Sequence, residues 1–227
     1  MSDISYELVR SRRKTIAIYI REDGSVEVRA PLRASAAAID SFVCEKSDWI
    51  RRHSMQRAAR DEEKRNFRLS YGDKLLYRGA EYPIAADSGR NAFFDGNAFV
   101  IPESAPEDRF TDILIDVYKI LAKYHITGRV NYYAQLMGCT PAAVKISSAN
   151  TRWGSCSGKD SINFSWKLIM ADDRLIDYVV VHELAHTREH NHSSRFWQIV
   201  ADVMPDHEQR RAELKVLSDR LSREKWD

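Results

Sequence analysis

The residues with the most distinctive chemistry in this sequence are His182, Glu183 and His186, which form the pattern H-E-x-x-H. They follow a run of apolar residues at helical spacing, so the pattern lies on a predicted helix. Residues four apart share one face of a helix, and two imidazoles there can converge on one Zn²⁺. Glu183 would face a water on that metal and accept its proton as the water attacks a carbonyl or phosphoryl centre. The pattern therefore predicts a zinc-dependent hydrolase with Glu183 as its general base.

A catalytic zinc site needs a third protein ligand, and two later histidines compete for this place. In a continuous helix His190 would stand about 12 Å along the axis from His182, near the limit that two imidazole arms can reach. Asn191 tolerates left-handed geometry and could end the helix, with Ser193 capping the next one. Such a bend would bring His192 back to the metal. The sequence favours His192 over His190, and we expect one Zn²⁺ per chain.

A loop of unusual composition precedes the last predicted strand. Polar, glycine and aromatic residues are concentrated in the segment S-A-N-T-R-W-G-S-C-S. This composition is typical of functional loops, although tight turns share it. Arg152, Trp153 and Gly154 are the predicted substrate-binding residues, and an edge strand from Arg152 to Cys156 would hold an extended peptide by backbone pairing. For stabilising negative charge on the reacting substrate, the sequence offers Arg152 and Arg188.

The elements that must position these residues follow from the spacing of apolar side chains. In the N-terminal half, alternation and turn signals predict strands over residues 4–31 and 73–101, with a hairpin turn at Asp23-Gly24. Helical spacing predicts one helix that begins after Ser35 and runs to Arg68. The C-terminal half is predicted to hold a long helix over residues 110–138, strands over residues 143–148 and 161–170, and helices that begin near Asp172 or Asp173, Ser193 and Pro205.

The order of these elements predicts an α+β fold with two modules. A strand-rich N-terminal half with one long helix is followed by a mostly helical C-terminal half that holds a short sheet. Pro102 and Pro106 mark the boundary between them. The predicted domains are residues 1–102, a strand-rich module with an amphipathic helix, and residues 103–227, the metal-binding catalytic domain.

Length and composition are typical of a folded protein, with 227 residues of which 44% are apolar and 30% charged. The three cysteines, Cys44, Cys139 and Cys156, form no C-x-x-C pair, which excludes a cysteine zinc cluster and a disulfide framework. No apolar stretch approaches the ~18 residues of a membrane-spanning helix, and the N-terminus has no signal-peptide pattern. We therefore expect a cytoplasmic protein with no membrane partner.

The overall charge is balanced, with 35 Lys and Arg against 33 Asp and Glu and a net charge of +2. Two local basic clusters stand out, one from Arg10 to Lys14 and one from Arg51 to Arg68. They could bind nucleic acid if they met on one surface, but a solvated helix face is the commoner explanation. A nucleic-acid partner is therefore allowed but not favoured.

Several sequence blocks around and beyond the metal motif carry further information. They are S-R-R-K-T (11–15), V-E-V-R-A-P (26–31), W-I (49–50), T-R-W-G-S-C (151–156), Y-V-V-V-H-E-L-A-H (178–186), and N-H-S with F-W (191–193 and 196–197). Together with the motif, these blocks resemble the YgjP-like metallopeptidase family over nearly the whole chain. The C-terminal part also resembles the zincin domains of the SprT and Wss1 proteases, which act on protein crosslinked to DNA.

The resemblance implies a zincin-like domain, in which the H-E-x-x-H helix packs on a small antiparallel sheet and binds Zn²⁺. It implies that His182, His186 and His192 are the ligands and that Glu183 is the base. It leaves the substrate open, because members are described mainly as zinc peptidases or metal-dependent hydrolases, and one as hydrolysing UTP to UMP and diphosphate. We predict a zinc metallopeptidase acting on peptides, with a nucleoside triphosphate pyrophosphatase as the alternative.

The charge of the substrate decides between these two activities. A triphosphate carries several negative charges and would need a converging set of cations. The candidate cations considered near the metal motif are Arg152, Lys159, Lys167 and Arg188, and their side chains could scatter over the surface. Peptide hydrolysis is therefore favoured, although a basic residue from a distant part of the chain could still fold over the cleft.

Overall fold

The computed structural model describes residues 4–226 and shows the predicted α+β architecture. Its described residues form ten strands in three sheets and six α-helices. The described residues divide into two compact units, one of residues 4–67 with Leu221–Lys225, the other of Arg68–Arg220 with Trp226. The division into domains at residue 102 stays a prediction. None of the described helices is long and apolar enough to cross a membrane.

The first unit is built on a three-stranded sheet. Strand β1 (Glu7–Ser11) pairs in parallel with β3 (Val26–Pro31), and β2 (Ala17–Ile20) pairs with β3 from the other side in antiparallel orientation. The turn between β2 and β3 contains Gly24 at a φ of 82°, a left-handed conformation that glycine adopts without strain. This confirms the hairpin turn at Asp23-Gly24.

The single helix predicted in this unit is two helices, α1 (Ala36–Glu45) and α2 (Ser47–Asn66). They are separated at Lys46, whose ψ of 9° departs from helical geometry. Ile39 of α1 and Ile50 of α2 are both buried in the same apolar core. A continuous straight helix would lead the residues after Lys46 away from this core. The break at Lys46 lets both helices contribute apolar side chains to it.

The second unit begins with a four-stranded sheet. Its strands are β4 (Lys74–Tyr77), β5 (Ala80–Asp87), β6 (Phe93–Phe94) and β7 (Phe99–Pro102), in the spatial order β4-β5-β7-β6. Behind it runs the long helix α3 (Phe110–Met137), which ends at Gly138 in the left-handed conformation. The hydroxyl of Tyr118 in α3 donates to the carbonyl of Leu76 at 2.7 Å, and its ring stacks on Trp166 at 5.4 Å. Aromatic packing therefore ties α3 into the core of this unit.

The third sheet lies beside the metal motif. Its central strand β10 (Ser161–Ser165) pairs antiparallel with β9 (Gly154–Cys156) and parallel with β8 (Ala143–Ser147). The small sheet that the resemblance implies is thus present, but it is mixed and not wholly antiparallel, because β8 pairs in parallel with β10. In the order β8-β10-β9, strand β9 is an edge strand.

The strand predicted over residues 161–170 is wrong in its second half. After Ser165 the chain forms a 3-10 helix, Trp166–Met170. The alternation of large apolar residues predicts that Ile169 faces away from the core, yet Ile169 is fully buried together with Leu168. Alternation of apolar and polar residues indicates a strand only where one face of the segment is exposed. Because this segment is buried on both sides, its apolar spacing does not identify its secondary structure.

The chain ends with the three predicted C-terminal helices, α4 (Asp173–Ala185), α5 (Ser194–Val203) and α6 (His207–Leu221). The side chain of Asp172 caps α4 by accepting the N–H of Leu175 at 3.0 Å. A Cβ on Gly79 would lie 2.7 Å from the Cβ of Asp172, so the tight turn between β4 and β5 packs directly against the start of α4.

Candidate active site

Helix α4 carries His182 and Glu183 near its C-terminal end and is fixed to α3 by a largely buried ion pair. Asp177 accepts hydrogen bonds from Nη2 of Arg129 at 2.7 Å and from the hydroxyl of Tyr133 at 3.0 Å. Both donors belong to α3, and Asp177 itself is buried. Because a buried carboxylate is costly without its partners, this network holds α4 in one position relative to α3.

The chain reverses direction directly after α4, which brings His192 beside the other two histidines. The helix ends at Ala185, whose carbonyl accepts two N–H groups of the following turn. The predicted bend through a left-handed Asn191 is wrong, since Asn191 has no positive φ and the helix has already ended. Ser193 caps α5 as predicted. Backbone hydrogen bonds of the turn, which carry no side-chain signature, make the bend.

His182, His186 and His192 form a cluster whose ligand nitrogens all lie within 4.8 Å of one another. The Nε2 atoms of His182 and His192 are 3.0 Å apart. Burial and the neighbouring imidazoles lower the pKa of His182 to about 3, and burial lowers the pKa of His186. Ring nitrogens that converge at these distances can all present their lone pairs to one cation. The donor set therefore fits a metal ion, and three ring nitrogens suit Zn²⁺.

Two further contacts orient these imidazoles. Nδ1 of His186 lies 3.0 Å from the carbonyl oxygen of Glu189, and because a carbonyl can only accept, this nitrogen carries the proton. The lone pair is then on Nε2. The ring of Trp197 stacks on the ring of His192, with 5.7 Å between the ring centres. It also stacks on the ring of His207, with 5.5 Å between the ring centres. Such contacts outside the ligand set fix the tautomer and direction of metal-binding histidines.

Glu183 lies buried beside this cluster, with 5% of its surface exposed. Burial raises the pKa of its carboxyl to about 7, and the positive charge of Arg152 acts in the opposite direction. Its Oε2 has no hydrogen-bond partner among the described residues. A Cβ on Gly154 would lie 2.7 Å from Cγ and Oε1 of Glu183, so the edge strand β9 passes directly against the carboxylate.

A cleft of about 590 Å³ opens beside His182 and Glu183. The three predicted substrate-binding residues, Arg152, Trp153 and Gly154, all lie in its wall. The cleft therefore brings the histidine motif of α4 and the loop before β9 to one place. A reacting bond in this cleft would lie beside the buried carboxylate of Glu183 and the imidazole of His182.

The family of this chain follows from its match to a family model. The YgjP-like metallopeptidase domain matches residues 14–217. The chain belongs to the YgjP-like metallopeptidase family. Membership of this family supports a metal-dependent hydrolase. No curated protein matches the chain.

Two solved structures are similar to part of this YgjP-like chain. One is the metallopeptidase zymogen abylysin of Pyrococcus abyssi, with 21% identity, a TM-score of 0.39, and coverage of 44% of this chain and 98% of that chain. The other is the metallopeptidase zymogen jannalysin of Methanocaldococcus jannaschii, with 22% identity, a TM-score of 0.36, and coverage of 40% of this chain and 93% of that chain.

Three residues of the cleft of this YgjP-like protein are missed by the sequence analysis. Tyr178 lines the cleft one helical turn before His182, and this spacing on one helix face is a signal that could have found it. Arg211 and Lys215 also line the cleft, but they come from α6. Only the fold brings α6 to the metal motif, so no local pattern predicts their presence.

Other predicted candidates lie elsewhere. The guanidinium of Arg188 donates to the carbonyls of Met137 and Gly138 at the end of α3. It therefore caps a helix, and Arg152 is the arginine of the two that lines the cleft. His190 is exposed and stands outside the histidine cluster.

Proposed function

We propose that this chain is a zinc-dependent peptidase in which His182, His186 and His192 hold Zn²⁺ and Glu183 is the general base. The observation that carries the proposal is the buried Glu183 carboxylate, which lies beside the three-histidine cluster and in the wall of a cleft. A purely structural zinc site has no use for a buried carboxylate beside an accessible cleft. This combination favours hydrolysis.

The residues of the chain divide the chemical work between them. When bound, Zn²⁺ supplies Lewis acidity and makes water a competent nucleophile near neutral pH. The unpartnered Oε2 of Glu183 accepts the proton of the attacking water. The same carboxyl then delivers that proton to the amine that leaves. Glu189 supports the site through its backbone carbonyl, which keeps the ring of His186 turned toward the cluster.

The edge strand β9 supports a peptide as the substrate. In the sheet order β8-β10-β9, its inner edge pairs with β10, and no described strand pairs with its outer edge. The backbone groups of an unpaired edge can hold an extended peptide as an added strand. Since Gly154 of β9 touches Glu183, a peptide on this edge would place its backbone near the base.

The substitution Glu183→Gln tests the proposal. We expect the variant to keep its zinc and to lose roughly 10²- to 10⁴-fold in the rate of peptide cleavage, because the amide cannot accept the proton. Products from a mixed peptide library are identified by mass spectrometry, and zinc is measured by elemental analysis. Glu189→Gln is the matched control, since it removes a carboxylate from the following turn without entering the cleft. Equal cleavage by wild type and Glu183→Gln would contradict the proposal.

Hydrolysis of a nucleoside triphosphate such as UTP, with release of diphosphate, is the second candidate function. The observation in its favour is that Arg152, Arg211 and Lys215 all line the cleft, so cations converge there from distant parts of the chain. Incubation of the zinc-loaded protein with the four ribonucleoside triphosphates tests it. Glu183-dependent release of diphosphate without cleavage of any peptide would establish this function in place of the peptidase.

A further inference from the structure

We propose that Arg211, Lys215 and Arg152 form a subsite that binds a carboxylate of the peptide substrate. This inference rests on the peptidase function proposed above and adds a substrate class to it, namely peptides that carry a carboxylate close to the cleaved bond. The observation that carries it is the convergence of three cations on the cleft that also holds Glu183.

The three cations reach the cleft from two separate elements. Arg211 and Lys215 lie one turn apart on α6, so they share one face of that helix. Arg152 lies in the loop that leads into β9, two residues before Gly154. The guanidinium of Arg211 stands 5.6 Å from the centre of the Trp197 ring, a contact that holds the charge in place.

These cations differ from the other arginines of α6. Arg210 pairs with Asp206 at 3.0 Å, and Arg220 pairs with Glu81 at 2.8 Å. Within residues 4–226, neither Arg211 nor Lys215 forms an ion pair. Helix α6 thus has acidic partners for two of its arginines and leaves unpaired the two cations that line the cleft.

The cleft has little negative charge of its own to balance them. Of the described residues in its wall, Glu183 is the only acidic one. Three cations therefore face one buried carboxylate. A concave site with an excess of one charge attracts ligands of the opposite charge and favours their binding. The cleft is accordingly suited to an anionic group on the substrate.

The remaining wall of the cleft favours a peptide as the carrier of this anion. Trp153, Tyr178 and Leu214 present aromatic and apolar surface, and the β9 edge offers backbone pairing. A guanidinium binds a carboxylate through two parallel hydrogen bonds, and a neighbouring lysine adds a second positive charge. The carboxylate can come from an Asp or Glu side chain or from the C-terminus of the peptide.

Peptide binding to the zinc-loaded Glu183→Gln protein tests the subsite without turnover. The probes are acetylated and amidated alanine heptapeptides with one Glu at each position in turn, the matching Gln peptides, and one peptide with a free C-terminal carboxylate. We expect at least one acidic peptide to bind roughly tenfold more tightly than its neutral counterpart. Tighter binding of an internal Glu peptide identifies a side chain as the source of the carboxylate. Tighter binding of the free acid identifies the C-terminus.

The variants Lys215→Glu and Lys123→Glu, each made in the Glu183→Gln protein, show whether the preference for acidic peptides depends on the cations of the cleft. Lys215→Glu should abolish the preference for the acidic peptide, and the milder Lys215→Gln should reduce it. Lys123 is an exposed residue of α3 outside the cleft, so Lys123→Glu makes the same change in net charge and should leave the preference intact. An equal loss in both charge-reversed variants would overturn the subsite.

The outcomes also separate this inference from the function on which it rests. Equal binding of Glu and Gln peptides at every position, together with intact Glu183-dependent peptide cleavage, would overturn the subsite and leave the peptidase standing. Failure to cleave any peptide, with Glu183-dependent release of diphosphate from a nucleotide, would overturn the proposed function. The same three cations would then serve phosphates, and the carboxylate subsite would be wrong as well.

Discussion

At the scale of single residues, the position of Glu183 depends on a neighbour that has no side chain. The sequence predicts Gly154 as a substrate-binding residue, and the contact between β9 and Glu183 gives it a second role. A Cβ at this position would lie 2.7 Å from two atoms of the Glu183 side chain, which is shorter than atoms can approach. Any side chain here would displace the carboxylate.

We therefore expect Gly154→Ala to lower kcat by about 10²-fold, since a displacement near 1 Å of a catalytic group has this effect. Zinc content should stay close to the wild-type value, because the three atoms nearest to the new methyl group all belong to Glu183 and not to a histidine. The control is Gly158→Ala, where a Cβ would meet nothing within 4 Å. Kinetics and elemental analysis of both variants provide the check. A kcat equal to that of the wild type in Gly154→Ala would show that the Glu183 carboxylate does not depend on the missing side chain at position 154.

A second prediction at this scale concerns the choice between the two competing histidines. We expect His192→Ala to lose most of its bound zinc and His190→Ala to retain it, because only His192 lies in the cluster with His182 and His186. Both residues are exposed, so neither substitution opens a cavity in the core. Zinc per chain, measured after dialysis, gives the answer. Retention by His192→Ala with loss by His190→Ala would reverse the assignment.

The residues of this site differ in how well they can be predicted from the sequence. The spacing of His182, Glu183 and His186 on one helix is a local pattern, so sequence reasoning could single them out. Lys215 belongs to a helix later in the chain, and its role depends on tertiary packing. The sequence therefore predicts the reacting groups better than the residues that would select a substrate.

At the scale of the elements, prediction succeeds where the signal is local. The length of α3 follows from its helical period, and its end follows from Gly138, which adopts the left-handed conformation common after helices. Prediction fails at Lys46 and within Trp166–Met170. At these two places the backbone geometry depends on the tertiary contacts of the buried side chains. The spacing of apolar residues within one segment does not predict those contacts.

The start of α4 is joined to the turn between β4 and β5 by an ion pair. Arg78 donates to both carboxylate oxygens of Asp173, with a distance of 2.8 Å from Nε to Oδ1. The hydrogen bond from Arg78 lowers the pKa of Asp173 below its ordinary value of 3.8. A lowered pKa means that the folded state favours the charged carboxylate. The pair therefore stabilises the fold fully above pH 3.8, and this stabilisation is lost as the pH falls through the lowered pKa of the folded protein.

We expect Asp173→Asn to reduce the free energy of unfolding by about 0.5 kcal/mol at pH 7, the usual size for a pair that is this exposed. The difference from wild type should shrink as the pH falls below 3.8 toward the lowered pKa of Asp173. Denaturant titrations of both proteins at pH 7 and at a series of acidic pH values measure it. In an Arg78→Gln background the pH-dependent effect of the substitution should be smaller, and what remains belongs to the pair of Asp173 with His125 at 3.0 Å. A difference that grows on acidification would contradict the assignment.

At the scale of the whole molecule, the histidine cluster and the basic cluster from Arg10 to Lys14 belong to different units. The histidine cluster and the cleft lie within Arg68–Arg220. The cluster from Arg10 to Lys14 lies in the first unit, where Nη1 of Arg10 donates to the carbonyl of Ala34 at 2.8 Å. At least one charge of that cluster thus stabilises a turn. Nucleic-acid binding stays a prediction, to be tested by its dependence on salt.

The division into units also predicts how the chain responds to loss of its metal. A ligand that binds only the folded state stabilises it by about 2.7 kcal/mol at one hundred times its dissociation constant. The histidines that would hold zinc lie in α4 and in the turn between α4 and α5, whereas Val28 and Ile39 pack in a separate core of the first unit. Removing zinc should therefore loosen the second unit selectively.

We expect chelation to accelerate amide hydrogen exchange at the end of α4 and the start of α5, and to leave β3 and α1 unchanged. Exchange measured by mass spectrometry, with and without EDTA, resolves these segments. His192→Ala serves as the control, because a protein that cannot hold zinc should show the same exchange in both conditions. Equal acceleration in β3 and α4 would mean that the two units unfold as one. No acceleration anywhere would mean that zinc does not stabilise the site.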